Sequence, residues 1–127
     1  MKIILIIIAL SLLLAGCNGI MKNDSVKSFI PGIYYSSWKT AFSESNDTLR
    51  IETMAENGSE GYRITRRMHV DFINAAKNRP PEYKIENWLG IYNSANKTVT
   101  INSNGRVLLF DMNKKQLIMG VITYKKL

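Results

Sequence analysis

Cysteine and histidine each occur once in this chain of 127 residues, and proline three times. A single cysteine excludes an intramolecular disulfide. One histidine and one cysteine are also too few for a transition-metal centre, which needs three or four convergent ligands. No acidic loop has a calcium-type spacing, so no metal and no cofactor are expected. Acidic side chains are in deficit, ten Asp and Glu against seventeen Lys and Arg. Amphipathic helical periodicity is missing as well, which argues against a helical bundle. Long apolar runs are missing everywhere except at the start.

That start is Met1-Lys2, then an apolar run over residues 3–14 interrupted only by Ala9 and Ser11, then Leu14-Ala15-Gly16-Cys17. A dozen apolar residues cannot span a bilayer core, which takes roughly 20. They match the apolar region of an export signal followed by small residues at a cleavage site. A plain signal peptide, or an anchor helix with a chance cysteine, is the competing reading. Leu14-Ala15-Gly16-Cys17 resembles the lipobox of bacterial lipoproteins. The resemblance implies cleavage between Gly16 and Cys17, acylation of the Cys17 sulfur, and a mature chain lacking residues 1–16. More than one acyl chain is physically sensible, because a single chain holds only marginally. Lipidation would also account for an otherwise unpaired thiol in an exported protein. Asn18 after the cysteine, in place of aspartate, implies the outer membrane, with the domain on the periplasmic side.

Behind the signal remain about 110 residues, enough for one domain with its own core. Residues 17–29 are expected to be the lipidated cysteine and a flexible polar tether, and residues 30–127 the folded domain. Setting Lys2 aside leaves sixteen basic against ten acidic side chains. For an exported chain the polyanions within reach are phospholipid headgroups, lipopolysaccharide or an acidic protein, and not nucleic acid. Solubility alone is the plain alternative.

From Pro31-Gly32 onward, segments rich in β-branched and aromatic residues alternate with turn chemistry. Strands are expected over residues 33–42, 48–55, 62–72, 82–93, 98–102, 106–112 and 116–124, with residues 43–47 as a polar loop. Asn57-Gly58 and Asn104-Gly105 are favoured hairpin turns. Residues 73–81 read as a break with room for one helical turn before Pro80-Pro81. Links this short force antiparallel pairing, because parallel strands need crossovers of a dozen residues or more. The fold class is therefore all-β: one antiparallel meander of about seven strands, closed or half-open as a barrel so that its edges are hidden. In outline it resembles the small lipocalin-like β domains of bacterial lipoproteins. The opening Gly-X-Trp of that family is not matched, since Gly32 is followed by Ile33-Tyr34. The resemblance is architectural and implies no site.

No catalytic constellation emerges. His69 and Asp71 share a strand face about 6.6 Å apart, but no serine has a nucleophile context. Glu82 and Glu86 lie about 13 Å apart along one strand, beyond the roughly 5–9.5 Å of a glycosidase pair. The Asn-X-Ser/Thr triplets at Asn23, Asn46, Asn57 and Asn96 read as turns in a bacterial chain. An enzyme is not expected. Arg66 stands out because strict alternation places it with Tyr62, Ile64, Met68, Val70 and Phe72 on one face. A buried charge must be paired or must meet a ligand or water. Three readings stay open. Arg66 anchors an anionic ligand in a barrel mouth lined by Tyr62, Tyr83 and Trp88; or a bulge at Arg66-Arg67 turns it outward; or it is held by an internal salt bridge or an aromatic ring. The expected function is a membrane-anchored, non-enzymatic binding module for a small apolar or anionic ligand or an envelope protein. The alternative is an accessory lipoprotein docking onto a larger secretion or conjugation machine. A filled interior would favour docking, and an open cavity would favour a ligand.

Overall fold

A computed structural model describes residues 24–54 and 60–127. The export signal, Cys17, the stretch through Asn23 and the Asn57-Gly58 turn lie outside the described residues. The rest is all-β: helix α1 (Ser25–Phe29) leads into strands β1 (Gly32–Lys39), β2 (Ser43–Thr53), β3 (Gly61–Phe72), β4 (Glu82–Asn93), β5 (Thr98–Ile101), β6 (Val107–Asp111), β7 (Gln116–Met119) and β8 (Ile122–Lys126). Every strand pairs antiparallel with its sequence neighbour, and β8 returns to β1, closing an eight-stranded barrel. The sheet is thus complete between residues 32 and 126.

Three local features differ from the sequence expectation. Residues 43–47 are not a loop but the first half of β2, because β1 and β3 pair with them from both sides. Cross-strand pairing overrides the weak strand preference of Ser, Glu, Asn and Asp. The expected last strand is two: the chain reverses between Met119 and Ile122, where Gly120 adopts φ +60°, a left-handed value that glycine tolerates without a Cβ clash. Finally, residues 25–29 are not tether. They form one helical turn and more, capped by Asp24, whose Oδ1 accepts from the Val26 and Lys27 amides at 3.0 and 3.2 Å.

A five-residue helix does not persist on its own, and α1 is held by the barrel end it covers. Val26 and Phe29 pack on the core. The Tyr34 hydroxyl donates to the carbonyls of Phe29 and Ile30 at 3.2 and 2.9 Å, and Tyr62 donates to that of Lys27 at 3.4 Å. Lys126 donates to the Phe29 carbonyl and lies 4.1 Å from the Phe29 ring centroid. Its stem crosses Gly32, whose φ of +148° is one that glycine adopts without strain. Tyr92 and Lys97 both donate to Asp24 Oδ2, at 2.6 and 3.0 Å. One barrel end is therefore plugged.

The core fills the barrel, with Tyr34, Leu49, Ile64, Val99, Ile101, Leu108, Leu117 and Tyr124 all at zero exposure. The opposite end is lopsided. Strands β1 to β4 run for 8–12 residues and β5 to β8 for only 4–5, so one side of the wall stands well above the other.

The plug carries a pH dependence. The Tyr92 hydrogen bond, then that of Lys97, hold the Asp24 carboxyl down at about 2, below its unfolded value near 3.8. Its contribution to stability is complete above pH 4 and is lost as pH falls towards 2. Thermal unfolding of Asp24→Asn should consequently lose less of its midpoint between pH 5 and pH 2 than the parent does. An equal loss in both would remove Asp24 from the balance.

Candidate functional site

Arg66 points inward. The β2–β3 ladder runs in unbroken register from Ser43↔Phe72 to Thr53↔Tyr62, so no bulge flips its parity. Inside, it meets Asp47, the fully buried residue two places before Leu49 on the inward face of β2. Arg66 donates through Nε to Asp47 Oδ2 at 3.0 Å and through Nη2 to the same oxygen at 2.7 Å. The Tyr124 hydroxyl reaches across from β8 and donates to Oδ2 at 2.6 Å. Burial works against the guanidinium charge, but the hydrogen bonds and charge of Asp47 outweigh it and hold Arg66 protonated more firmly than usual. Burial, and then the bond to Asp47, push the Tyr124 hydroxyl well above the ordinary phenol range, so it stays a donor.

What remains of Arg66 faces the open end. Nη1 lies 3.5 Å from Glu86 Oε1, which also lies 3.3 Å from Lys84 Nζ, without aligned hydrogen bonds to that oxygen. The Arg66 guanidinium carbon is 5.8 Å from the Trp88 ring centroid. Arg106, in the turn before β6, places its own at 5.5 Å from the same ring. Arg106 has no carboxylate partner among the described residues. Three cations here (Arg66, Lys84, Arg106) face two carboxylates (Asp47, Glu86), so the uncompensated charge belongs to Arg106. Between Arg66 and Arg106 the low rim formed by Val107, Met119, Gly120, Val121 and Ile122 encloses a shallow basin of about 460 Å³.

Of the four residues the sequence places around this mouth, the structure brings Arg66 and Trp88 together there. Tyr62 is buried at the plugged end beneath α1. Tyr83 is on the outside of the barrel, 74% exposed and stacked on His69 with ring centroids 4.5 Å apart. Its strand has the reverse parity from the one that would line an interior: Trp88 and Tyr92 point in, while Tyr83, Ile85, Leu89 and Ile91 form an apolar stripe facing out. Asp47, Glu86, Arg106 and Tyr124 were missed. Asp47 was legible in principle, since the period that buries Leu49 and Ile51 runs back through it. Arg106 follows an Asn-Gly turn and carries no such signal.

The His69–Asp71 contact is short, 3.0 Å, but half exposed on the outer face and without a nucleophile beside it. Among the described residues no three His, Cys, Asp or Glu side chains converge as metal ligands would.

Replacing Arg66 by Met strands a buried carboxylate and should cost about 3–5 kcal/mol, whereas Arg66→Met with Asp47→Leu removes both charges and should recover most of it. Urea unfolding of the three proteins measures this. A single variant as stable as the double one would mean that Asp47 is not charged in the fold.

No protein-family model matches the chain, and no curated protein or solved structure matches it either. The site is therefore read from its own chemistry.

Proposed function

We propose that the protein is a lipoprotein of the cell envelope, anchored through Cys17, whose barrel is a non-enzymatic binding module with its recognition site at the open mouth. The observation that carries this reading is Arg106: a cation without a carboxylate partner among the described residues, laid on Trp88 beside an apolar basin. Such a site suits an anionic group, phosphate or carboxylate, carried on an apolar body. Guanidinium offers that group charge-assisted hydrogen bonds, and Val107, Met119 and Ile122 offer the body a surface. Because Tyr34, Leu49 and the Asp47–Arg66–Tyr124 cluster fill the interior, the ligand rests on the barrel and does not enter it.

A second reading, docking onto an envelope protein, is favoured by the outward stripe on β4, where Ile85, Leu89 and Ile91 are 63%, 48% and 53% exposed. Exposed apolar area on this scale marks contact surfaces.

Two measurements separate these. In a Trp38→Phe background, where Trp88 is the remaining indole, a long-chain alkyl phosphate should change the fluorescence saturably. Arg106→Met should weaken that binding about tenfold or more, by the value of one charge-assisted bond, with unfolding unchanged. No saturable change, or an unaffected Arg106→Met, overturns the mouth as the site and leaves docking. Independently, radiolabelled palmitate fed to an expressing bacterium should enter the protein and be lost in Cys17→Ser. Label that persists in that variant, or never enters, overturns the anchor.

A further inference from the structure

The plugged end of the barrel carries a second, separate concentration of charge. The turn between β6 and β7 holds Lys114 and Lys115, and β8 ends in Lys125 and Lys126. Register brings the two pairs together, since Gln116 pairs with Lys125 and the Lys126 amide donates to the Lys115 carbonyl at 2.9 Å. None of the four has a carboxylate within ion-pair distance among the described residues. Lys126 is held in the plug by the Phe29 carbonyl, its ammonium less basic than usual through burial and then through the charge of Lys115. Several cations elsewhere are matched: Lys39 with Glu44, Arg79 with Glu82 and Lys84 with Glu86 at the open end, and Lys27 with Glu60 and Lys97 with Asp24 beside the plug. Lys114, Lys115 and Lys125, with Asp111 as the acid in their turn and next to exposed Met112 and Leu127, make a face complementary to a polyanionic surface with an apolar layer beneath.

Chain length says which surface. The first described residue, Asp24, is at this same end, and six residues separate it from Cys17. The seven steps from Cys17 to Asp24 reach at most about 25 Å. Strands β3 and β4, of 12 residues each, are about 40 Å long at 3.3 Å per residue. An anchor at Cys17 therefore keeps the plugged end close to a bilayer, while the tall wall of β2 to β4 can extend farther from it than the tether reaches.

We infer that the helix-plugged end is a membrane-facing surface, on which Lys114, Lys115 and Lys125 dock the barrel to anionic phospholipid headgroups and so turn the Arg106 mouth away from the bilayer. The orientation rests on the anchor reading above; the affinity of the surface does not. Anchor and surface act together, because a weak lipid attachment becomes firm when a basic patch supplies the second attraction.

The test uses the chain from Asn18 onward, which contains the whole closed sheet and bears no lipid, so that surface and anchor are measured apart. Sedimentation with vesicles of phosphatidylcholine plus phosphatidylglycerol should capture it, vesicles of phosphatidylcholine alone should not, and added salt should release it. A basic side chain near an anionic leaflet is worth about fivefold in partitioning, so Lys114→Gln/Lys115→Gln should lose about tenfold or more. Lys39→Glu/Lys77→Glu, at the open end, should bind as the parent does. No capture by the anionic vesicles, equal capture by both vesicle types, or an equal loss in the open-end variant overturns the inference. Those outcomes leave the palmitate result standing, and loss of the palmitate label leaves a vesicle-binding surface standing.

Discussion

The Arg66–Asp47 contact governs what this barrel can be. Placing a guanidinium and a carboxylate inside a domain costs several kcal/mol for each ion, and only close pairing with further hydrogen bonds offsets it. Asp47 finds Arg66 on the next strand and Tyr124 on the far side of the closure, so the same carboxylate joins β2, β3 and β8. A slip of one residue along β2 or β3 would expel one partner and leave the other buried alone. The cluster thus specifies register more sharply than apolar packing does, since Leu, Ile and Val tolerate one another's places. It also occupies the middle of the barrel, which leaves the polar groups of the open end at the rim.

The architecture was legible because alternation and turn residues carry it. The chain order, the antiparallel meander, the inward parity of β3 and the short helical turn near Asn74 follow from residue spacing. What stayed hidden has specific causes. Residues 43–47 are polar throughout, so the period burying Ser45 and Asp47 is invisible unless a buried acid is already suspected. In β4 both parities carry large apolar residues, Tyr83, Ile85, Leu89 and Ile91 against Trp88 and Tyr92, and the choice falls to the neighbouring strands. Gly90 between Ile64 and Val99 marks the inward set, since any side chain there would collide with them. Helix α1 has too few residues to show a period and exists because hydroxyls from β1, β3 and β4 meet it.

The two ends differ in kind. At the plugged end polar groups are spent on the chain itself: carbonyls of α1 on tyrosines and a lysine, Asp24 on Tyr92 and Lys97. At the open end, a tall wall faces a low rim, and the ring of Trp88 lies between two guanidiniums. Lys114 and Lys115 in the β6–β7 turn and Lys125 on β8 lie outside both arrangements. That division sets a plugged end against an open one, with a filled core between them.

The seam between β1 and β8 is short, with two residue pairs, Tyr34↔Lys126 and Tyr35↔Lys125, against eleven between β2 and β3. Under tension a seam this short, like the equally short pairing of β5 with β6, parts readily, as few bonds share the load. The N-terminal lead does not pull on it directly. Asp24 is fastened to Tyr92 and Lys97 across the barrel floor, so force entering from that side is delivered first to β4 and β5, well inside the sheet. The hydrogen bonds that cap a five-residue helix therefore serve as a strain relief, keeping a tugged chain from loading the seam that closes the barrel.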